Sequence, residues 1–462
     1  MRKQLLALFA ILMVSSSISL AQRQRVTYLD LINRSSAPQI FIDNIILPAD
    51  DYKAELGILF RFNNDFLPFK KITPSSELNA HEGAGFYSTI RLNNEVFEGL
   101  AKRDRRPTDV NVVSRDMWSD TLFTETFEQT ESAKLYASGS LSVQLNPGVY
   151  HYVLQLSLIE STNDRNSNYR NVRVPDWKTK ATGEIYTIKN KPSLTADSDL
   201  PLTNLGDNIL FGDDFYALVR IPDYDANSSY SINIFRMNTS RRDTSKGELI
   251  DELAIQKELI IDGMHPVLSS GAEPSLSMKE SELGFTYALV KIPHSNYQNA
   301  AYSIELNKEN SDKALAKKFF RSYWPDMPAS LYNLDIAINH LKYIINEDQL
   351  KQIKSGSDAE KEKKFREFWE KRDPSKGTVY NELMAEYYRR IDYAFKEFSN
   401  RGNLAGHESD QGKVYINYGP PDSKDRQFPK NGEVIEIWKY GNKRFVFEAS
   451  TGFGDFVLIG TE

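Results

Sequence analysis

"FYALVRIPDYDANSSYSINIF" (residues 215–235) has a close counterpart in "TYALVKIPHSNYQNAAYSIEL" (residues 286–306). The core YALV[RK]IP recurs, and YSI follows in both copies with one extra residue in the intervening turn. Each copy reads as strand, polar turn, strand, because β-branched and aromatic residues flank a cluster of Asp, Asn and Ser. The repeat predicts two equivalent hairpins in one sandwich, or two similar half-domains. Two copies are too few for a solenoid.

Toward the N-terminus the β character continues. "YKAELGILFRF" (52–62) and "YHYVLQLSL" (150–158) alternate at period two, and "NPG" (146–148) signals a turn before the second. The polar stretch "STNDRNSNYRNVRVPDWKTK" (161–180) separates this part from the repeat-bearing part. Two all-β, sandwich-like regions are therefore expected, at 26–165 and 180–320.

Toward the C-terminus "SYWPDMPASL" (322–331) ends the β pattern and the period changes. Leu334, Ile338, Leu341 and Ile345 form a helical apolar stripe. Asn346 with Gln349, and Ser357 with Glu360, read as capping boxes, and Pro374 closes the helix that carries Phe365, Phe368 and Trp369. Thr378 is the expected cap of a further helix striped by Met384, Tyr387, Tyr388, Ile391, Phe395 and Phe398. Strands are expected at "KVYINY" (413–418), "EVIEIWKY" (433–440), "KRFVFEA" (443–449) and "FVLIG" (456–460), with a hairpin at "YGNK" (440–443). The predicted fold is multidomain: two N-terminal β regions, then an α+β domain at 330–462, with helices packed on a small antiparallel sheet.

Composition narrows the function classes. Residues 1–21 have the form of a secretory signal: Arg2 and Lys3, then the apolar "LLALFAILMV" (5–14), then small residues ending at Ala21. Export to the periplasm or the exterior is expected, with a soluble chain after cleavage, since no later run is long and apolar enough to span a bilayer. With no cysteine, the chain has no disulfide, thiol nucleophile or thiolate metal site. The net charge of −6 and the lack of a basic tract argue against nucleic acid as a partner.

The C-terminal blocks carry a family resemblance. "FREFWEKRDPSKGTVYNELMAEYYRRIDYAFKEF" (365–398), "GHESDQGKVYINYGPPD" (406–422), "EIWKY", "RFVFE" and "GFGDF" resemble the GWxTD-domain proteins over about 330–462. The resemblance implies an exported bacterial protein of a family with no established activity. The residues carrying it are Arg372, Asp373, Pro374, Asn381, Glu382, Glu386, Tyr387, Tyr388, Gly406, His407, Ser409, Asp410, Gly412, Tyr415, Gly419, Pro420, Pro421 and Asp422. His407 stands where the family has Trp, and Ser409 where it has Thr.

Each candidate for chemistry has a structural alternative. His407, Glu408 and Asp410 would ligate a metal if they converged, but they lack the helical i, i+4 histidine pair of a preformed site. The alternative has Asp410 making a local turn, Gly412 supplying an unusual backbone angle and His407 covering a helix–sheet seam. Glu382 and Glu386, four apart on one helix face, would with Asp373 form a paired-carboxylate site. Alternatively Glu386 pairs with Arg389 or Arg390, and Arg372 and Asp373 brace a turn. Tyr387, Tyr388, Tyr393, Tyr415 and Tyr418 form either a binding groove or a core. Asp197, Asp199, Asp207 and Asp213 lie in an acid-rich loop without EF-hand order. No phosphate loop, HExxH or GxSxG occurs.

The expected role is a non-enzymatic interaction or scaffold protein of the cell envelope with an envelope protein as partner, and with no cofactor or metal. The alternatives are a hydrolase of an envelope polymer using Asp373, Glu382, Glu386 or His407, and a carbohydrate- or peptide-binding module.

Overall fold

The structure, a computed structural model, describes the chain except residues 1–26, 33–37, 75, 77, 102–110, 160–163, 180–182, 190–198, 239–244, 270, 272, 281–282, 400–404, 431 and 450–455. The expected signal sequence and its cleavage site lie outside the described residues. The chain divides into two compact units: a β unit of residues 37–326 with 377–380, and an α+β unit of 1–36, 327–376 and 381–462.

In the β unit the two copies of the repeat find each other. Strand Phe215–Ile221 pairs antiparallel with Thr286–Ile292, with Leu218 opposite Leu289. Strand Tyr230–Met237 pairs antiparallel with Ala301–Lys308, with Asn233 opposite Glu305. At the centre of each pair one residue faces its equivalent in the other copy, so a local two-fold axis relates the copies. The expected hairpins are not what forms. The two strands of one copy lie in different sheets, one in a four-stranded and one in a five-stranded sheet. Each copy is an arch because its polar turn is far longer than a tight two-residue hairpin loop and spans the distance between stacked sheets.

These two sheets enclose one apolar core, containing Ala217, Val219, Ile221, Ile232, Ile234, Val290, Ile304 and Phe320. The opposite side of strand Phe215–Ile221 faces a second core through Leu218. Burial on both faces explains why FYALVRI reads as an unbroken apolar run rather than an alternating one. The second core also contains Leu56, Phe60, Leu92, Tyr152 and Leu156, together with Tyr186, Met264, Met278 and Tyr287. Residues from both sides of the 165–180 boundary thus bury one common surface. The two expected regions form a single compact unit, because neither covers the apolar faces of its sheets alone.

The α+β unit follows the helical stripes closely. Its helices are Tyr28–Ile32, Leu334–His340, Glu347–Lys354, Asp358–Glu370, Glu382–Glu397 and Asp410–Tyr418. Both capping boxes form, Asn346 with Gln349 and Ser357 with Glu360. Thr378 does not cap; Asn381 does, accepting from the Met384 N–H at 2.8 Å. Its amide also donates to the Trp369 carbonyl at 2.9 Å, which ties the helix start to the preceding helix. The sheet runs Ser423–Gln427, Ile435–Tyr440, Lys443–Ala449, Phe456–Thr461 in spatial order, all antiparallel.

"KVYINY" is helix, not strand. Val414 and Ile416 are both buried. Ile416 joins the helical core of Ile338, Trp369, Tyr388 and Ile391, whereas Val414 joins the sheet-side cluster of Trp438, Phe445 and Phe447. A helix clasped on two flanks has buried residues at i and i+2 and so imitates strand alternation. The first strand of the sheet is instead "SKDRQ", which is exposed throughout and offers no apolar pattern.

Candidate functional site

The segment from Gly406 to Gly412 is built on close backbone contact. A Cβ on Gly412 would lie 1.9 Å from the Gly406 carbonyl oxygen, and one on Gly406 would lie 2.2 Å from that of Ala394. Gly412 has ordinary helical geometry, so the requirement is for space and not for an unusual backbone angle. Ser409 joins the two glycines. Its hydroxyl donates to the Gly406 carbonyl at 2.7 Å and accepts the Gly412 N–H at 3.0 Å, which caps the Asp410–Tyr418 helix.

Asp410 does not form an isolated turn. One carboxylate oxygen accepts the Leu458 N–H at 3.1 Å and the other pairs with Lys413 at 3.1 Å, stitching the helix start to the last strand. Glu408 pairs with Lys342 at 2.8 Å, which holds its carboxyl below the usual carboxylate range.

His407 is buried among helices rather than at a helix–sheet seam. Its ring centroid is 5.0 Å from that of His340, 5.4 Å from Tyr28 and 5.4 Å from Phe395. Its Nδ1 has no hydrogen-bond partner. Burial lowers the pKa of both histidines, His340 to about 3 with help from His407 and Lys342. The remaining aromatic face is polar at its rim. Ser330 Oγ lies 2.8 Å from His340 Nδ1, and Asp392 accepts the Tyr28 hydroxyl and the Ala329 N–H. Burial raises the Asp392 carboxyl.

A serine–imidazole contact beside a carboxylate resembles a nucleophile–base pair. Three observations argue for packing instead. Ser330 is fully buried, the carboxylate binds a tyrosine and a backbone N–H, and an imidazole with a pKa of about 3 accepts protons poorly near neutral pH.

The other expected residues are distributed along the unit. Asp373 accepts the Ser375 N–H at 2.9 Å within a turn, and Arg372 donates to the Phe368 carbonyl at 2.8 Å while lying over its ring. Pro374 is exposed at that turn and Glu382 is exposed at its helix start. Glu386 pairs with Arg390 at 2.8 Å and Arg389 at 3.2 Å. Glu386 precedes Phe395, which touches His407, by nine helical residues, about 13 Å along the axis. Glu386 and His407 are therefore well separated along this helix. Among the described residues no three His, Asp or Glu side chains gather as a metal site. Of the four loop aspartates, Asp197 lies outside the described residues.

The tyrosines divide. Tyr387 and Tyr388 are core and donate to the carbonyls of His340 and Ala337. Tyr393 and Tyr415 stack at 4.5 Å, and Tyr393 and Tyr418 are exposed. Gly419 adopts φ +80°, which ends the helix ahead of Pro420 and Pro421, and Asp422 accepts the Gly441 N–H at 2.7 Å.

Sequence reasoning missed Glu436. It is buried and accepts from Gln411 Nε2 at 3.0 Å, Trp438 Nε1 at 2.7 Å and Arg426 Nε at 2.9 Å. Its only sequence signal is a charge between Ile435 and Ile437 in a strand.

Residues 300–454 match the model of the GWxTD domain. The match begins at the last two strands of the β unit, earlier than the expected 330. No curated protein matches the chain. A solved structure titled "BspA_C_WT" is similar at 10% identity, covering 62% of this chain and 100% of that one, but its TM-score of 0.14 supports no argument. The C-terminal region of this chain is a GWxTD domain.

Proposed function

We propose that the protein is an exported, non-catalytic interaction or scaffold protein of the bacterial envelope, with the GWxTD domain as its compact C-terminal module. One observation carries this reading. The signature's polar groups are engaged in capping, stitching and packing, and Asp373 and Glu386 are engaged by a turn N–H and by arginines. The leader-like residues 1–21 support export, and the family resemblance supports an envelope setting.

The experiment uses affinity-tagged full-length protein expressed in its source cells. The mature N-terminus is expected just after Ala21 in the envelope fraction, and crosslinking is expected to recover a stoichiometric protein partner. The triple variant Asp373→Asn, Glu382→Gln, Glu386→Gln retains that partner. Release of soluble fragments from purified envelope polymer by the wild type, abolished in the triple variant, overturns the reading in favour of a hydrolase.

A further inference from the structure

The β unit contains a groove of ≈ 930 Å³ whose lining includes Arg61, Tyr136, Phe211, Trp324 and Tyr380. All of its lining residues, including those of the 377–380 segment, belong to this unit. The Val379 N–H donates to the Ser295 carbonyl at 2.9 Å and holds that segment in place. One wall is aromatic: the Trp324 ring lies 5.3 Å from Phe211 and 5.2 Å from Tyr380.

Arg61 is the unusual member. It is 6% exposed, yet no carboxylate among the described residues forms a salt bridge with it. Its Nε donates to Asn63 at 3.2 Å, and its guanidinium lies 3.5 Å from the Tyr136 ring centroid. Among the described residues its Nη groups meet no hydrogen-bond acceptor. The nearby carboxylates are already committed. Glu273 takes Lys189 and the Tyr136 hydroxyl, Asp326 takes Lys134, and Asp214 takes Lys291. Asp213 is exposed to solvent. A buried guanidinium normally has a paired anion, because its desolvation is otherwise uncompensated. Its planar fork matches a carboxylate with two parallel hydrogen bonds.

We propose that this groove binds a carboxylate ligand with an apolar body, Arg61 taking the acid group and the Phe211–Trp324–Tyr380 wall the apolar part. The groove belongs to the β unit alone, so it does not depend on what the GWxTD domain does. The source of the carboxylate is either a free organic acid or the end of a peptide chain.

The test is calorimetric titration of the full-length mature protein with four probes: 4-phenylbutyrate, 4-phenylbutyramide, and an N-acetylated tripeptide ending in phenylalanine as acid or as amide. At least one acid is expected to bind about tenfold or more tightly than its amide. The acid that binds better names the source. Arg61→Met is expected to weaken the acid by about tenfold or more while leaving the amide unchanged. Its thermal midpoint is expected to equal or exceed that of the wild type, since an unpaired buried charge is replaced by an apolar chain of similar length. Equal binding of acid and amide, no binding of any probe, or undiminished acid binding by Arg61→Met overturns the proposal. If Arg61→Met does not fold, Lys134→Gln serves instead. That side chain is 70% exposed, and its loss is expected to weaken the acid a few-fold without affecting the amide; an unchanged acid affinity counts against the groove.

Discussion

His407 and His340 meet ring to ring inside the helical core, and their titration follows from that position. Burial keeps both neutral in the folded chain, with the His340 pKa lowered to about 3. The unfolded chain protonates near pH 6.5. Between those values the unfolded state binds more protons, so stability is fully present above about pH 6.5 and is lost as pH falls toward 3. For His340 alone the slope is about 1.4 kcal/mol per pH unit. Urea unfolding at pH 7 and pH 4.5 should therefore show a wild-type loss exceeding that of His340→Gln by about 2–3 kcal/mol. Equal losses in the two proteins would remove His340 as the source. An indole at position 407 would not titrate, so the imidazole there is itself a source of acid sensitivity.

The Asp410–Tyr418 helix shows how one element can be misread and what holds it. Its start is capped by Ser409, anchored to the last strand by Asp410 and pressed against Gly406 through Gly412. In an exposed helix Gly→Ala stabilises by about 1 kcal/mol. At Gly412 the added methyl meets a backbone oxygen at 1.9 Å, so the expected result reverses sign. Gly412→Ala should lose about 2–3 kcal/mol in chemical denaturation. Lys413→Ala, on the exposed side of the same helix, should stay within about 0.5 kcal/mol. A neutral or stabilising Gly412→Ala would show that the two glycines are not in contact. Those two glycines are legible in the sequence only as family positions. Their reason, the crossing of a short helical turn over a helix start, appears once the chain is folded. The capping boxes at Asn346 and Ser357 were legible directly because a box is a four-residue pattern satisfied within its own turn.

At the scale of the β unit, the shared core makes a prediction about dissection. Leu156 before the 165–180 segment and Tyr186, Met278 and Tyr287 after it belong to one buried cluster. Fragments 26–165 and 180–320, produced separately, should each lack a cooperative thermal transition and bind a dye specific for exposed apolar surface. The 37–326 chain should unfold cooperatively. A sharp transition in either short fragment would restore two independent domains. The repeat explains why length and turn signals suggested that division. Each copy presents a complete strand–turn–strand pattern, but its two strands serve different sheets, and those sheets close only when both copies are present.

What the sequence determined alone was whatever is satisfied locally. The change from period two to helical stripes near Trp324, the capping boxes and the terminal strands rest on residues within a few positions of one another, and the repeat on direct likeness of two stretches. Tertiary structure decided the rest: the helical state of "KVYINY", the arch in place of the hairpin, the merging of two β regions, the burial of Glu436 and the burial of Arg61 without a carboxylate partner among the described residues. The physical reason is the same in each case. Which faces of an element are buried, and which charges are left without partners, depends on neighbours supplied from tens to hundreds of residues away.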